Sequence, residues 1–479
     1  MPDRHELHTM FYPKSVALVG ASNSSVGSGA TRFLEQLRRV GFPGDIFPVN
    51  PNLTEVQGLK AYPDVKSIPK PVDLVTVAVP ASKVPEVLED CIVAGVKNVH
   101  IYSSGFSETG EEEGRQLEVK ITEIIQQSDL RVVGPNCMGI YVPTSKLVAW
   151  GTPPTGSGPI AFISQSGGHS EFFIRYAQGL GIHFSKMVSF GNACGLQVLD
   201  FLEYLADDPE TRIITMYLEG IKDGGRVTQL IKTINRTKPV IVWKGGLTDS
   251  GSRAVASHTG SLSGEEKAWK AFFVQTGAIK VDSLEEIADV VMAFLHLPIP
   301  RGRRTLVLGG GGGNSVEMAD ICGREGLDVP PLSDTTRGEL ASFIRLAGNG
   351  IRNPLDVSVV QEDVDLLRRS IVVAVADPVI DLVIVDRHVG GNHHDDERYR
   401  KVNNFIIDFA IKNTYNKPLV VSMRAHDLTP GGAALGARLC GEFASAGVPA
   451  YLSQATATRA LARFIKYHEF QAASKDGNW

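Results

Sequence analysis

Ser15-Val16-Ala17-Leu18-Val19-Gly20-Ala21-Ser22-Asn23-Ser24-Ser25-Val26-Gly27-Ser28-Gly29 passes from a short apolar run through a turn of small residues into a helical pattern. An apolar run of this length closed by glycine is the pattern of a strand buried on both faces, which a parallel sheet requires. The turn brings backbone amides to a helix start, where the macrodipole and unpaired N–H groups favour an anion. Working outward, residues 45–49, 73–79, 98–102 and 131–133 read as further strands separated by helical stretches. Strand–helix alternation implies a parallel sheet covered by helices, with right-handed crossovers and all carboxyl ends on one edge.

That edge is where open α/β sheets bind ligands. On it the sequence places Gly20, Ala21, Ser22 and Gly27, then Asn50-Pro51, Val79-Pro80, Ser103-Ser104-Gly105 and Gly134-Pro135-Asn136-Cys137. The glycine spacing is not G-x-G-x-x-G, and Asn50-Pro51 stands where a dinucleotide site carries an acidic ribose ligand. NAD is therefore disfavoured and a different phosphorylated nucleotide is favoured; a plain turn is the alternative.

A Gly/Pro-rich link at 151–159 opens a second series, with strands expected at 160–163, 186–190, 212–218 and 239–243. Their carboxyl ends lead into Ser164-Gln165-Ser166-Gly167-Gly168, Phe190-Gly191-Asn192, Glu219, and a loop, 244–257, that delivers His258. A proline-flanked stretch at 297–303 precedes a third series: a strand at 305–308, five glycines including Gly310, Gly311, Gly312 and Gly313, a helix from Asn314, and later strands at 382–385 and 418–422. The expected domains are 1–148, 149–298 and 299–479, in line with about three domains for 479 residues.

His258 lies in Ala256-Ser257-His258-Thr259-Gly260-Ser261-Leu262-Ser263-Gly264. An imidazole takes a phosphoryl group covalently and passes it on, and glycines and hydroxyls around it let a tetrahedral anion reach the backbone; a histidine in a polar surface loop is the plainer reading. Ser164, Gln165, Ser166, Gly167 and Gly168 at one helix start, and Gly310 to Gly313 at another, are natural anion seats. Two helix starts aimed at one phosphoryl group would hold it without net positive charge. A carboxylate at Glu219 bonded to one ring nitrogen would fix the tautomer of His258 and leave the other nitrogen to attack. Equally, an acidic residue at a strand end caps a helix or faces solvent.

Composition narrows the class. A net charge of −5 gives no basic field for nucleic acid or anionic lipid. Five cysteines, Cys91, Cys137, Cys194, Cys322 and Cys440, lack C-x-x-C spacing, as suits reduced thiols. No run approaches the ~20 apolar residues of a membrane span, and residues 1–11 lack the apolar stretch of a signal peptide. A cytoplasmic protein is expected, with no membrane or nucleic-acid partner. His393-His394-Asp395-Asp396 invites a metal reading, but adjacent residues rarely converge on one ion, so no metal site is assigned.

Val19-Gly20-Ala21-Ser22, Val49-Asn50-Pro51, Ser103-Ser104-Gly105-Phe106, Gly134-Pro135-Asn136-Cys137, Ser164-Gln165-Ser166-Gly167, Tyr217-Leu218-Glu219-Gly220 and Ser257-His258-Thr259-Gly260-Ser261 together resemble the α subunit of the NDP-forming acyl-CoA synthetases. That family includes ADP-forming acetate-CoA ligase and, more distantly, succinyl-CoA synthetase. The resemblance implies an α/β fold with a Rossmann-like CoA-binding domain followed by two flavodoxin-like ligase domains. It implies that the first-domain edge residues bind CoA, that His258 is phosphorylated and oriented by Glu219, and that the glycine-rich helix starts cradle phosphate. It further implies an acyl pocket at Phe190, Gly191 and Asn192. Where many relatives carry a lysine and acidic residues after the Gly-Asn pair, this chain has Ala193-Cys194-Gly195-Leu196-Gln197, which suggests a less charged pocket for a larger or aromatic acyl group.

In such enzymes acyl-CoA, phosphate and ADP are interconverted with carboxylic acid, CoA and ATP through an acyl phosphate and phosphohistidine. The nucleotide step needs an ATP-grasp domain, for which no residues remain after 479. ATP or ADP and Mg2+ are therefore expected on a separate ATP-grasp β subunit in a hetero-oligomer. A non-catalytic CoA- or acyl-CoA-sensing subunit is the second reading, and an NAD-dependent oxidoreductase the third.

Overall fold

Val16, Ala17 and Leu18 are almost wholly buried, so strand β1 (Ser15–Val19) lies inside a sheet and not at its rim. In this computed structural model, which describes residues 5–24, 29–148, 151–259, 266–357, 363–389, 397–425 and 429–475, β1 pairs in parallel with β2 (Asp45–Val49) on one side. A small hairpin of β3 (Glu55–Val56) and β4 (Leu59–Lys60) follows. The other side of β1 carries β5 (Leu74–Val77), and β6 (Asn98–Ile101) and β7 (Arg131–Val133) complete the order β2-β1-β5-β6-β7. One parallel bridge, Val49 to Tyr62, marks a vestigial further strand beyond β2, the place it has in a Rossmann-type sheet.

The second sheet holds β8 (Gly139–Tyr141), β9 (Ser157–Ser164), β10 (Phe184–Ser189), β11 (Ile213–Leu218), β12 (Val240–Lys244) and β13 (Ile279–Val281), in the order β13-β12-β11-β9-β10-β8. Five strands run parallel; β8 is antiparallel to β10, with Met187 opposite Tyr141. Because β8 follows β7 directly in the chain, the first domain's chain finishes as the edge of the second sheet. Residues 1–178 and 182–287 accordingly form one compact unit. Inside it the buried Lys186 ammonium pairs with Asp208 at 2.8 Å and Glu210 at 2.9 Å, and the Tyr12 hydroxyl donates to Glu210 at 2.6 Å. The N-terminal segment is thereby fastened to the second sheet.

Residues 179–181 and 288–479 form the other unit. Its sheet of β14 (Thr305–Gly309), β15 (Leu355–Asp356), β16 (Leu382–Val389), β17 (Leu419–Ala425) and β18 (Ala450–Tyr451) is parallel, in the order β15-β14-β16-β17-β18. Leu306 and Leu308 enter one apolar layer with Val383 and Val385, while Val307 enters the opposite layer with Leu382 and Ile384. This period-two alternation between two apolar layers is what helices on both faces demand. Burying each such side chain contributes about 1.5–3 kcal/mol.

The α/β class and the series of parallel sheets stand as the sequence indicated. The hairpin, β8, β13, β15 and β18 are too short for their patterning to register. The stretch 244–257, expected as a loop, holds a helix, Asp249–Thr259. Thr248 starts it: its hydroxyl accepts from the Gly251 amide at 3.1 Å and its carbonyl from Ser252 at 2.7 Å. Gly246, at φ +77°, packs on Val255, where a Cβ would stand 2.7 Å from a methyl. Among the described residues no helix is long and apolar enough to cross a membrane.

Candidate active site

In all three sheets the first long strand lies between the second and the third, so each has a switch point where crossovers leave in opposite directions and a crevice opens beyond the strand ends. In the second sheet that point lies between β9 and β11. Gln165, just past β9, donates its amide to the Tyr217 carbonyl at 3.2 Å, and its side-chain Oε1 accepts from the Glu219 amide at 2.5 Å and the Gly220 amide at 3.0 Å. The buried Ser164 Oγ donates to the Ser166 carbonyl at 2.8 Å and accepts from the Ser166 amide at 3.1 Å. The helix Gly167–Gly179 begins there. Ser166 Oγ accepts from the His169 amide at 3.3 Å, Gly168 is exposed, and Gly167 has room for no side chain because a Cβ would lie 2.6 Å from Met138.

Glu219 is 3% exposed, and the Tyr217 hydroxyl donates to its Oε1 at 3.1 Å. Burial, reinforced by that carboxylate, pushes the Tyr217 phenol well up. His169 packs edge-on against Tyr217 at 4.3 Å and leans over Trp243 at 4.8 Å, giving the crevice an aromatic wall. Lys244 ends β12 in register with Leu218. Its ammonium donates to the Gly245 carbonyl and stands 5.2 Å from the centre of the Trp269 ring. Burial lowers its pKa to about 8, against the opposing pull of Glu219. In the sequence Lys244 shows only as a lone lysine closing an apolar strand, and its place in the crevice comes from the fold.

His258 sits in the last turn of the helix Asp249–Thr259, and its side chain lies outside the described residues. That helix rests against the 3-10 turn Ser107–Thr109, directly after the Ser103-Ser104-Gly105 loop. The helix that carries His258 thus adjoins the turn that follows the ligand edge of the first sheet.

At that edge Gly20, with φ +96°, leaves only 2.4 Å between a built Cβ and the Ala78 carbonyl, so no side chain fits. Asn50 donates to the Ala21 carbonyl at 2.8 Å, and the Ser22 amide donates to Thr31 Oγ1 at 3.1 Å. Ser103 Oγ accepts from the Val79 amide at 3.1 Å and donates to the Val79 carbonyl at 2.5 Å. Pro51, Pro80 and Ser104 are exposed, and the Gly105 amide donates to Glu108 at 2.6 Å. The Asn136 amide donates to the Ser103 carbonyl at 2.9 Å. Cys137 is buried, its thiol directed to the Ile101 carbonyl at 3.6 Å and pushed well up by burial, so only its backbone is suited to touch a ligand. Gly27 lies outside the described residues.

The two edges interlock. The Asn192 amide donates to the Pro135 carbonyl at 3.1 Å and that of Cys194 to Gly134 at 3.0 Å. The Asn192 side chain donates to Glu108 at 2.7 Å and Glu118 at 2.8 Å, a junction the sequence did not reveal. At Gly191, a Cβ would lie 2.2 Å from the Pro135 carbonyl. Phe190 is 2% exposed and packs on Phe201. Of this trio, then, the Phe190 and Asn192 side chains are committed to protein contacts.

Gly310 to Gly313 open the helix Gly312–Arg324 of the other unit, with Gly311 at φ +90° as its cap. The Gly311 amide donates to Asp356 at 2.9 Å, while Gly312 and Gly313 are exposed. Residues 393–396 lie outside the described residues.

A family described as CoA binding domain matches residues 14–143, and one described as succinyl-CoA ligase like flavodoxin domain matches 157–294. The α subunit of ADP-forming acetate–CoA ligase II of Pyrococcus furiosus is 38% identical over 79% of this chain and 81% of its own length. The ADP-forming 4-hydroxybutyrate–CoA ligase of Nitrosopumilus maritimus is 31% identical over 96% of the chain and 64% of its own. Against ADP-forming acetate–CoA ligase I of Archaeoglobus fulgidus, 36% identical, the chain spans 54% of the relative's length. The acetyl-coenzyme A synthetase 1 of Ca. Korarchaeum cryptofilum, solved with phosphate and ADP, superposes with a TM-score of 0.84 at 31% identity, covering 99% of both chains.

Proposed function

Because the chain belongs to the ADP-forming acyl-CoA ligases, a family of acid–thiol ligases, we propose that it is the α subunit that binds CoA and carries the phosphohistidine. The first-sheet edge from Gly20 to Cys137 receives CoA, with phosphates at the helix start after Ser22. Inorganic phosphate sits at the helix start formed by Ser164 to Gly168. A phosphate oxygen attacks the thioester carbonyl; the C–S bond breaks, the thiolate leaves as CoA and takes a proton, and an acyl phosphate results. An imidazole nitrogen of His258 then attacks phosphorus, and the P–O bond breaks with the carboxylate as leaving group. Glu219 holds the ring's other N–H and stabilises the charged ring.

Phosphohistidine passes its phosphoryl group to ADP, the P–N bond breaking as the new P–O bond forms. Nucleotide and Mg2+ belong to a separate ATP-grasp β subunit, and the Gly310–Gly313 helix start is a phosphate-binding element of the second ligase domain. The domains divide at 148/149 and 298/299. The observation that carries this reading is the Gln165–Glu219 junction at the β9/β11 switch point, which fixes a carboxylate beside an open helix start. The test is incubation of the full chain with acyl-CoA thioesters and radiolabelled phosphate. Acid-labile label is expected in the native chain and absent in His258→Asn, with CoA binding intact; label retained in that variant rejects the assignment.

A further inference from the structure

A buried ammonium is costly unless an anion meets it. Lys186, elsewhere in the same sheet, has two carboxylates within 3 Å. Lys244 is equally buried, at 3% exposure, yet among the described residues no carboxylate lies at ion-pair distance from it; its contacts are the Gly245 carbonyl and the Trp269 ring. It ends β12 beside the last residue of β11, within Coulombic reach of Glu219 and one strand from the switch point.

A helix start supplies only about half a unit of positive charge. A phosphate dianion placed between that start and the Glu219 carboxylate meets repulsion that the helix alone does not offset. We infer that the Lys244 ammonium is the missing counter-ion, binding inorganic phosphate and the phosphoryl group in transfer at the Ser164–Gly168 seat. The inference rests on the proposed phosphate chemistry of that seat and adds a residue that binds the substrate through its charge.

Among the described residues Glu219 is the charged group that acts on Lys244, and the helix Glu266–Thr276 lays the uncharged Trp269 against it; Tyr217 and His169 pack with Trp243, whose side chain alternates to the other face of the sheet. Tyr217 stays protonated through burial. Lys244, with its pKa lowered to about 8, loses its charge in mild alkali, where phosphate is fully dianionic. Phosphate affinity then falls above pH 8.

The test is calorimetric titration of the full chain with inorganic phosphate across this range. Native protein is expected to show level affinity up to about pH 8 and a fall approaching tenfold per pH unit above it. Lys244→Met is expected to bind phosphate about tenfold to a hundredfold more weakly and without the alkaline fall, while CoA titrates as in the native chain. Lys244→Arg keeps a charge at all these pH values and is expected to retain affinity with no fall. Native-like phosphate binding by Lys244→Met, or an alkaline fall persisting in it, overturns the role of Lys244 alone. A native chain that binds no phosphate and takes no label on His258 overturns the phosphate reading and this inference with it.

Discussion

Gln165 and Glu219, 54 residues apart in sequence, are joined by a hydrogen bond of 2.5 Å from the Glu219 amide to the Gln165 side-chain oxygen. With the second bond from Gly220, this one amide side chain closes the β9/β11 switch point. It fixes the backbone from which Glu219 projects, independently of the carboxylate's own bond to Tyr217.

Gln165→Ala leaves two backbone amides without that acceptor. A loss of about 1–3 kcal/mol in stability is expected, the cost of one unmet buried donor at Glu219, because the half-buried Gly220 amide can turn to water, together with slower labelling of His258. Denaturant unfolding and single-turnover labelling measure the two effects; unchanged values in both would show that the junction is dispensable.

Glu219→Gln keeps the size of the side chain but removes its charge. Labelling of His258 by acyl-CoA and phosphate is expected to slow about tenfold to a thousandfold, as for loss of a positioned charge–dipole contact. CoA affinity should not change. Equal rates in both proteins would take Glu219 out of the mechanism.

Gly20→Ala puts a methyl against the Ala78 carbonyl at a φ of +96°. The strain is expected to cost about 1–3 kcal/mol and to weaken CoA, because relief requires the β1 and β5 ends to part. Melting temperature and CoA titration report this, and a variant as stable as the parent would show that the edge yields freely.

His100 is buried beneath Gly139, and burial lowers its pKa from 6.5 to about 4, partly opposed by its contact with the Cys137 carbonyl. Its folded-state pKa lies below the unfolded value, so between these two the unfolded chain binds more protons. Its stabilising effect is complete above pH 6.5 and is lost as pH falls toward 4, by about 3 kcal/mol in all. A pH series of unfolding free energies should show this slope in the native chain and lose it in His100→Gln. The same slope in both would place the acid sensitivity elsewhere.

Much of this was legible in the linear pattern. Val16 to Val19 followed by glycine announced a buried parallel strand, and the polar residues at each strand end announced where ligands gather. The edge strands were not legible, since two or three residues carry no period. Nor was the helix Asp249–Thr259: its serines, glycine and polar residues suit a loop as well, and the packing of Val255 on Gly246 decided it. Asn192 read as a pocket residue, whereas the fold commits its side chain to Glu108 and Glu118.

By itself the sequence determined the strand–turn–helix grammar, hence three sheets built on parallel strands whose carboxyl ends bear glycine, serine and glutamate, because burial and backbone freedom are local requirements of each residue. Only the tertiary structure decided that Gln165 meets Glu219, that β8 crosses to the second sheet, and that Lys244 is buried with no carboxylate at ion-pair distance among the described residues. These depend on strand order and register, which bring distant residues within a few ångströms and which no single segment encodes.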